Sequence, residues 1–397
     1  MRRVCAIVAS LLILAGLAAP SGAQDDDHSD NMHLVGSLPA PNATDVVFTK
    51  DNYAVMTAQG SDAGAGLWVI DVHDPAHPKT VGRLPCAGSG YDVGLWRNIA
   101  VMSIDSASGN SSTKADKCNL KGTEGQEGIR LVDISDRRHP REVKFVETPC
   151  GSHTNITFGH KGRGLVYVNS YSASTSGTCS SAHGIISVVD ITNPKKAKIV
   201  ASPSVLPANG CHDGTIKGHY AYMACLSEGQ VWDIKDPLEP EILAHISDVP
   251  DAIWHSSTVS NDGDTVGFGF ESFQGGNASC TGATENGKTG AIYFYDVTDK
   301  SAPKQLGSFT PPRLITGVCT AHNFTTIPRI DKDILVTAWY TAGVMVVDYS
   351  DPTAPKEIAH YLPSGTSAWD ANWHKGHVFA GDSGRGLDVY KIDGIPK

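Results

Sequence analysis

Residues 344–363 read VMVVDYSDPTAPKEIAHYLP. Four apolar residues lead into Asp348, a Pro-bearing turn follows, and a second short apolar run closes the phrase. Val, Ile and Tyr in such runs are strand chemistry, and an Asp/Pro cluster between two of them marks a tight hairpin. The phrase recurs upstream. It reads LWVIDVHDPAHPKTVGRLP from Leu67, IRLVDISDRRHPREVKFV from Ile129 and ISVVDITNPKKAKIVASP from Ile186. It returns as QVWDIKDPLEPEILAHI from Gln230 and IYFYDVTDKSAPKQLGSF from Ile292. A seventh copy, GLDVYKIDG from Gly386, stops before its second strand. Two more strand-like runs precede each copy, such as AHNFTTI and ILVTAWY around residues 321–340. Each repeat is therefore four strands, and no stretch carries convincing helical periodicity.

Seven such units predict an all-β fold, a seven-bladed β-propeller with four strands per blade. The chain ends support closure. The last repeat lacks its outer strand, while HLVGSLP at His33–Pro39 resembles TVGRLP, the outer strand of the first repeat. The N-terminal strand is expected to complete the seventh blade, because an open ring would leave unpaired strand edges. Residues 33–397 are then one domain. The alternative, an array of β-sandwiches, would not need this exchange of strands.

Upstream, Arg2 and Arg3 precede an apolar run from Val4 to Ala19 that ends in Ser21-Gly22-Ala23. This is the layout of a secretory signal peptide, residues 1–23, removed after Ala23. The acidic residues 24–32 are expected to form a disordered, solvated tail. An exported chain with no further apolar run long enough to span a bilayer is expected in the extracellular, cell-surface or periplasmic space. The 397 residues carry 32 basic and 42 acidic side chains, a net charge of −10. That balance argues against a nucleic-acid partner. A monomer binding a protein or small-molecule ligand is the expected state.

The phrases VVDIT and VVDYSDP resemble the LVIVD repeat of secreted bacterial propeller proteins, and the likeness runs over nearly the whole chain after the signal. The resemblance implies the propeller fold and no particular activity. Asp71, Asp133, Asp190, Asp233, Asp296 and Asp348 recur once per copy. One residue at the same place in six repeats reads as a structural device at the hairpin rather than as catalysis.

Aligning the first strands points to chemistry. His153, His212, His255 and His322 begin four consecutive blades, and Asp370, Asp45 and Asp92 stand at the matching point of the other three. First strands line the central channel, so the seven residues are expected to form one ring. Imidazole and carboxylate together suit a divalent transition metal such as zinc, copper or iron. The four His are the expected ligands. Asp45, Asp92, Asp370, Tyr91, Trp254 and Trp369 are expected to wall the surrounding ligand site. In architecture and in these His the chain is also distantly similar to the methanethiol oxidase and selenium-binding protein propellers, which hold a histidine-bound metal in the channel. Two functions follow: a binding or scaffold module with a ligand or metal site at the channel mouth, or a metal-dependent oxidase or hydrolase.

Loss of Cys5 with the signal leaves Cys86, Cys118, Cys150, Cys179, Cys211, Cys225, Cys280 and Cys319. An even set in an exported chain reads as disulfides. Cys211 and Cys225 flank a hairpin and form the favoured pair. Consecutive pairing adds Cys86–Cys118, Cys150–Cys179 and Cys280–Cys319; Cys118–Cys150 with Cys179–Cys211 is the alternative.

Overall fold

The computed structural model describes residues 26–60, 64–86, 92–104, 128–170, 185–208, 210–250, 252–271, 290–313, 315 and 317–395. Their strands form six four-stranded antiparallel sheets and one five-stranded sheet. The inner strands contact one another in chain order and the last meets the first, so the sheets close a ring of seven blades. The inner strands of blades one to seven are Ala43–Phe48, Val93–Trp96, Thr154–His160, Asp213–Lys217, Trp254–Val259, Phe324–Thr326 and Ala368–His374.

Closure follows the expected exchange. Met32–Pro39 pairs antiparallel with Gly386–Ile392, from Met32 opposite Ile392 to Pro39 opposite Gly386. The signal segment 1–23 lies outside the described residues. The expectation of a disordered 24–32 tail is corrected from Asp26 onward. Asp27–His28 adds a fifth strand to blade six, opposite Leu362 and Tyr361. Asp26 accepts hydrogen bonds from the Tyr361 hydroxyl and the Ser364 amide, and His28 stacks on Tyr361. An outer strand offers an open row of backbone donors and acceptors, and this acidic segment pairs with it.

Seven large hydrophobic clusters hold the ring together, one at each seam between neighbouring blades. Each blade is thus buried on both faces, which explains why its second and third strands read as nearly unbroken apolar runs. The repeated Asp behaves as expected. In all six copies its carboxylate accepts the amide N–H two residues ahead, at 2.8–3.0 Å, and so fixes the hairpin. Every outer pair also carries a bulge, which bends the rim. The Gly of TVGRLP has a packing reason. A Cβ on Gly82 would overlap the Arg137 carbonyl of the next blade, and one on Gly36 the Pro75 carbonyl.

Cys211 and Cys225 are joined as expected. Cys86, Cys150 and Cys319 are disulfide-bonded too. Cys118, Cys179 and Cys280, their expected partners, lie outside the described residues. Among the described residues no helix is long and apolar enough to cross a membrane.

Candidate functional site

The inner strands carry two rings rather than one. Asp213 lies opposite Ala224, Thr154 opposite Asn169, Ser256 opposite Gly269 and Asp370 opposite Gly381. With Asp45, Asp92 and Asn323 these residues share one register. Each His stands one residue earlier: His153 before Thr154, His212 before Asp213, His255 before Ser256, His322 before Asn323. Trp369, before Asp370, continues the His register. Successive strand residues face opposite ways, so the mixed His/Asp ring expected from the sequence separates into two.

The Asp register stitches blade to blade. Asp370 accepts the Val46 amide, Asp45 the Val93 amide and Asp92 the Asn155 amide, each from the following blade. Where the register holds a hydroxyl the bond reverses. Thr154 donates to the His212 carbonyl and Ser256 to the His322 carbonyl. Asp45, Asp92, Asp213 and Asp370 also line a channel cavity of about 360 Å³, together with Asn155, Asn323 and Asn372. Burial, then the neighbouring Asp45 carboxyl, pushes Asp92 and Asp370 well above the usual carboxylate range. Burial pushes Asp213 up to about 7.

The four imidazoles form a contiguous row outside that cavity. Ring centroids are 4.5 Å apart for His153–His212, 3.7 Å for His212–His255 and 4.3 Å for His255–His322. Trp369 extends the row at 4.5 Å from His322, and Tyr340 packs against both. His212, His255 and His322 are buried, while His153 is partly exposed. Burial, then the adjacent imidazoles, drives His212 and His255 well below the ordinary histidine range. Burial takes His322 down to about 3. These three rings are therefore neutral near pH 7, the form that binds metals.

A carboxylate absent from the sequence reading completes the deep end of the row. Glu271 follows the second strand of blade five, and its Oε2 lies 3.3 Å from His255 Nε2. The Tyr340 hydroxyl donates to Glu271 Oε1 at 2.6 Å. Burial pushes Glu271 up to about 7, partly offset by that hydrogen bond. His322 Nδ1 lies 2.5 Å from the Trp369 carbonyl, which makes Nδ1 the donor and leaves Nε2 as acceptor. One ligand atom from each of His255, Glu271 and His322 falls within 4.8 Å of the others. Among the described residues no other group of three meets that geometry.

Of the expected ligand-site walls, Trp369 reaches the row. Tyr91 lies outside the described residues. Trp254 is corrected: it is fully buried between blades four and five, packed on Phe268, Phe270, Tyr293 and Tyr295. A bulge after Trp254 turns it into the seam and leaves His255 for the mouth.

Residues 44–85 and 338–362 match the LVIVD repeat family. The first match spans blade one and the second the outer half of blade six. No curated protein matches the chain. Among solved structures, this propeller resembles a functionally unknown protein from Desulfotomaculum acetoxidans. The TM-score is 0.56 at 14% identity, over 92% of this chain and 94% of that one. It also resembles the computationally designed Ika8 protein, with TM-score 0.49 and 12% identity over 88% and 83%. At 14% identity the first of these likenesses concerns the fold alone.

Proposed function

We propose that this protein is an exported binding propeller whose recognition centre is the histidine mouth. The reading rests on one observation. Four imidazoles, Trp369, Tyr340 and Glu271 gather in one continuous patch where the repeat itself needs only interblade stitches. The next register carries side-chain stitches between blades, and within the row His322 Nδ1 bonds the Trp369 carbonyl, so that its Nε2 is the acceptor offered to a ligand or a metal ion. A small polar molecule would meet neutral imidazole acceptors, an aromatic wall and one carboxyl group. The test is a thermal-shift screen of divalent metals and small polar ligands on the signal-free, oxidised chain. A stabilising compound should lose its effect in Trp369→Ala and His322→Ala but keep it in His139→Ala, an exposed residue of the blade-two hairpin. Stabilisation that survives both mouth substitutions would place binding elsewhere.

A second reading is a metal-dependent oxidase or hydrolase. Glu271 favours it: a carboxyl held near pH 7 beside a neutral imidazole suits proton transfer. Turnover of any screened compound, lost in Glu271→Gln, would select it over the binding module.

A further inference from the structure

We propose that His255, His322 and Glu271 hold one divalent first-row transition-metal ion, with His212 and His153 outside the coordination set. This rests on the histidine mouth being the ligand site and names its ligand. The sequence suggested four histidines around an axis. The geometry instead points to two imidazoles and one carboxylate at the deep end of the row.

Four observations carry this. The three donor groups lie within 4.8 Å of one another, close enough to converge on one ion. They come from three places on two adjacent blades: the bulge at the start of blade five, the residue after its second strand, and a position two residues before the inner strand of blade six. Each donor thus sits at or within two residues of a blade strand. The supporting contacts are those that metal ligands ordinarily have. Trp369 holds Nδ1 of His322 and so presents Nε2. Tyr340 holds one oxygen of Glu271 and so leaves the other facing His255. Finally, His255 is 2% exposed, its ring also meets the His322 backbone, and its Nε2 faces the Glu271 carboxyl.

The donor set also selects the metal class. Two neutral imidazoles and a carboxylate suit zinc, iron(II), cobalt or nickel. The absence of thiolates, and of several oxygen donors, disfavours copper(I), calcium and magnesium. Three protein ligands leave at least one position for water or a small donor molecule, as in sites that act on their ligand.

Cobalt(II) is the probe, because its visible bands report coordination directly. The full oxidised chain is stripped with chelator, checked by circular dichroism, and titrated. The expected result is one equivalent per chain with intense four- or five-coordinate bands, displaced by zinc. His255→Ala and His322→Ala should weaken binding at least about 100-fold. Glu271→Gln keeps the size of the side chain and the Tyr340 contact, and should weaken it at least about 10-fold. Tyr340→Phe should weaken binding about 10-fold, in the range found when a supporting hydrogen bond to a ligand is removed. His153→Ala should retain the bands. Two results overturn the proposal. One is a folded wild-type chain that takes up no cobalt or zinc, which leaves the mouth as a site for organic ligands. The other is binding that survives Glu271→Gln and is lost in His153→Ala, which assigns the ion to the imidazole row instead.

Discussion

The substitution Asp213→Asn should stabilise this protein, and the gain should depend on pH. Asp213 faces the channel beside other carboxyls, and burial holds its pKa at about 7. An Asp in the unfolded chain titrates near 3.9. The sign follows from linkage. Between about pH 4 and pH 7 the unfolded chain has released this proton and the folded chain has not, so folded stability falls as pH rises through that window and levels off above it. About three pH units at about 1.4 kcal/mol each set a ceiling of about 4 kcal/mol. Asp213 is only partly buried by surface area and borders a cavity wide enough for water, so about 1–2 kcal/mol is the expected cost. Asparagine removes the ionisation and keeps the shape; blade six already carries Asn323 at this register. Urea unfolding of both proteins at pH 4, 6 and 8 is the assay. The curves should nearly coincide at pH 4, and the variant should be more stable at pH 8. A variant equal to or weaker than wild type at pH 8 would refute the argument, and would mean that the channel holds Asp213 as a paired carboxylate.

Deleting residues 32–39 strips blade seven of its outer strand and unburies Ile392 and Tyr390; size-exclusion chromatography should show aggregates in place of a compact species. Replacing Cys211 and Cys225 together by Ser reopens a link spanning a sequence separation of 14 and should cost about 3 kcal/mol in denaturant unfolding. An unchanged midpoint would mean that the hairpin is rigid without the bond. Gly82→Ala forces a methyl group against the Arg137 carbonyl and should cost about 1–3 kcal/mol in denaturant unfolding; an unchanged midpoint would mean that the neighbouring hairpin yields.

The architecture was legible because the repeat is covalent. Each copy spells its third strand, its Asp-fixed turn and its outer strand in one uninterrupted phrase, and the missing outer strand of the last copy appears at the other end of the chain. The acidic start was misread because charge suggests solvation. What orders it is the open edge of blade six, whose donors to Asp26 lie more than three hundred residues away in sequence.

The site was harder to read for a reason that lies in strand geometry. His and Asp occupy neighbouring registers, and one residue in a strand reverses the side to which a side chain points. The inner strands of blades one, five and seven each contain a register shift, at Ala43/Val46, Trp254/Ser256 and Ala368/Asp370. Counting from the repeat phrase therefore slips by one just where the two rings must be told apart. The bulges also do something for the site. In blades five and seven the extra residue is His255 or Trp369, and the bulge turns it toward the row while the next residue keeps its place in the stitch. Glu271 and Tyr340 carry no repeat signal, yet hairpin geometry places them. In an antiparallel pair the residue after the second strand lies beside the start of the first. Glu271 directly follows Phe270, the end of the second strand of blade five, and Tyr340 comes two residues after Ala338, its counterpart in blade six. The Asp stitches and the proposed site thus fall on neighbouring residues at the starts of the same inner strands. A substitution in the Asp register should register as unfolding free energy, and one in the His register as lost ligand, with little exchange between the two readouts.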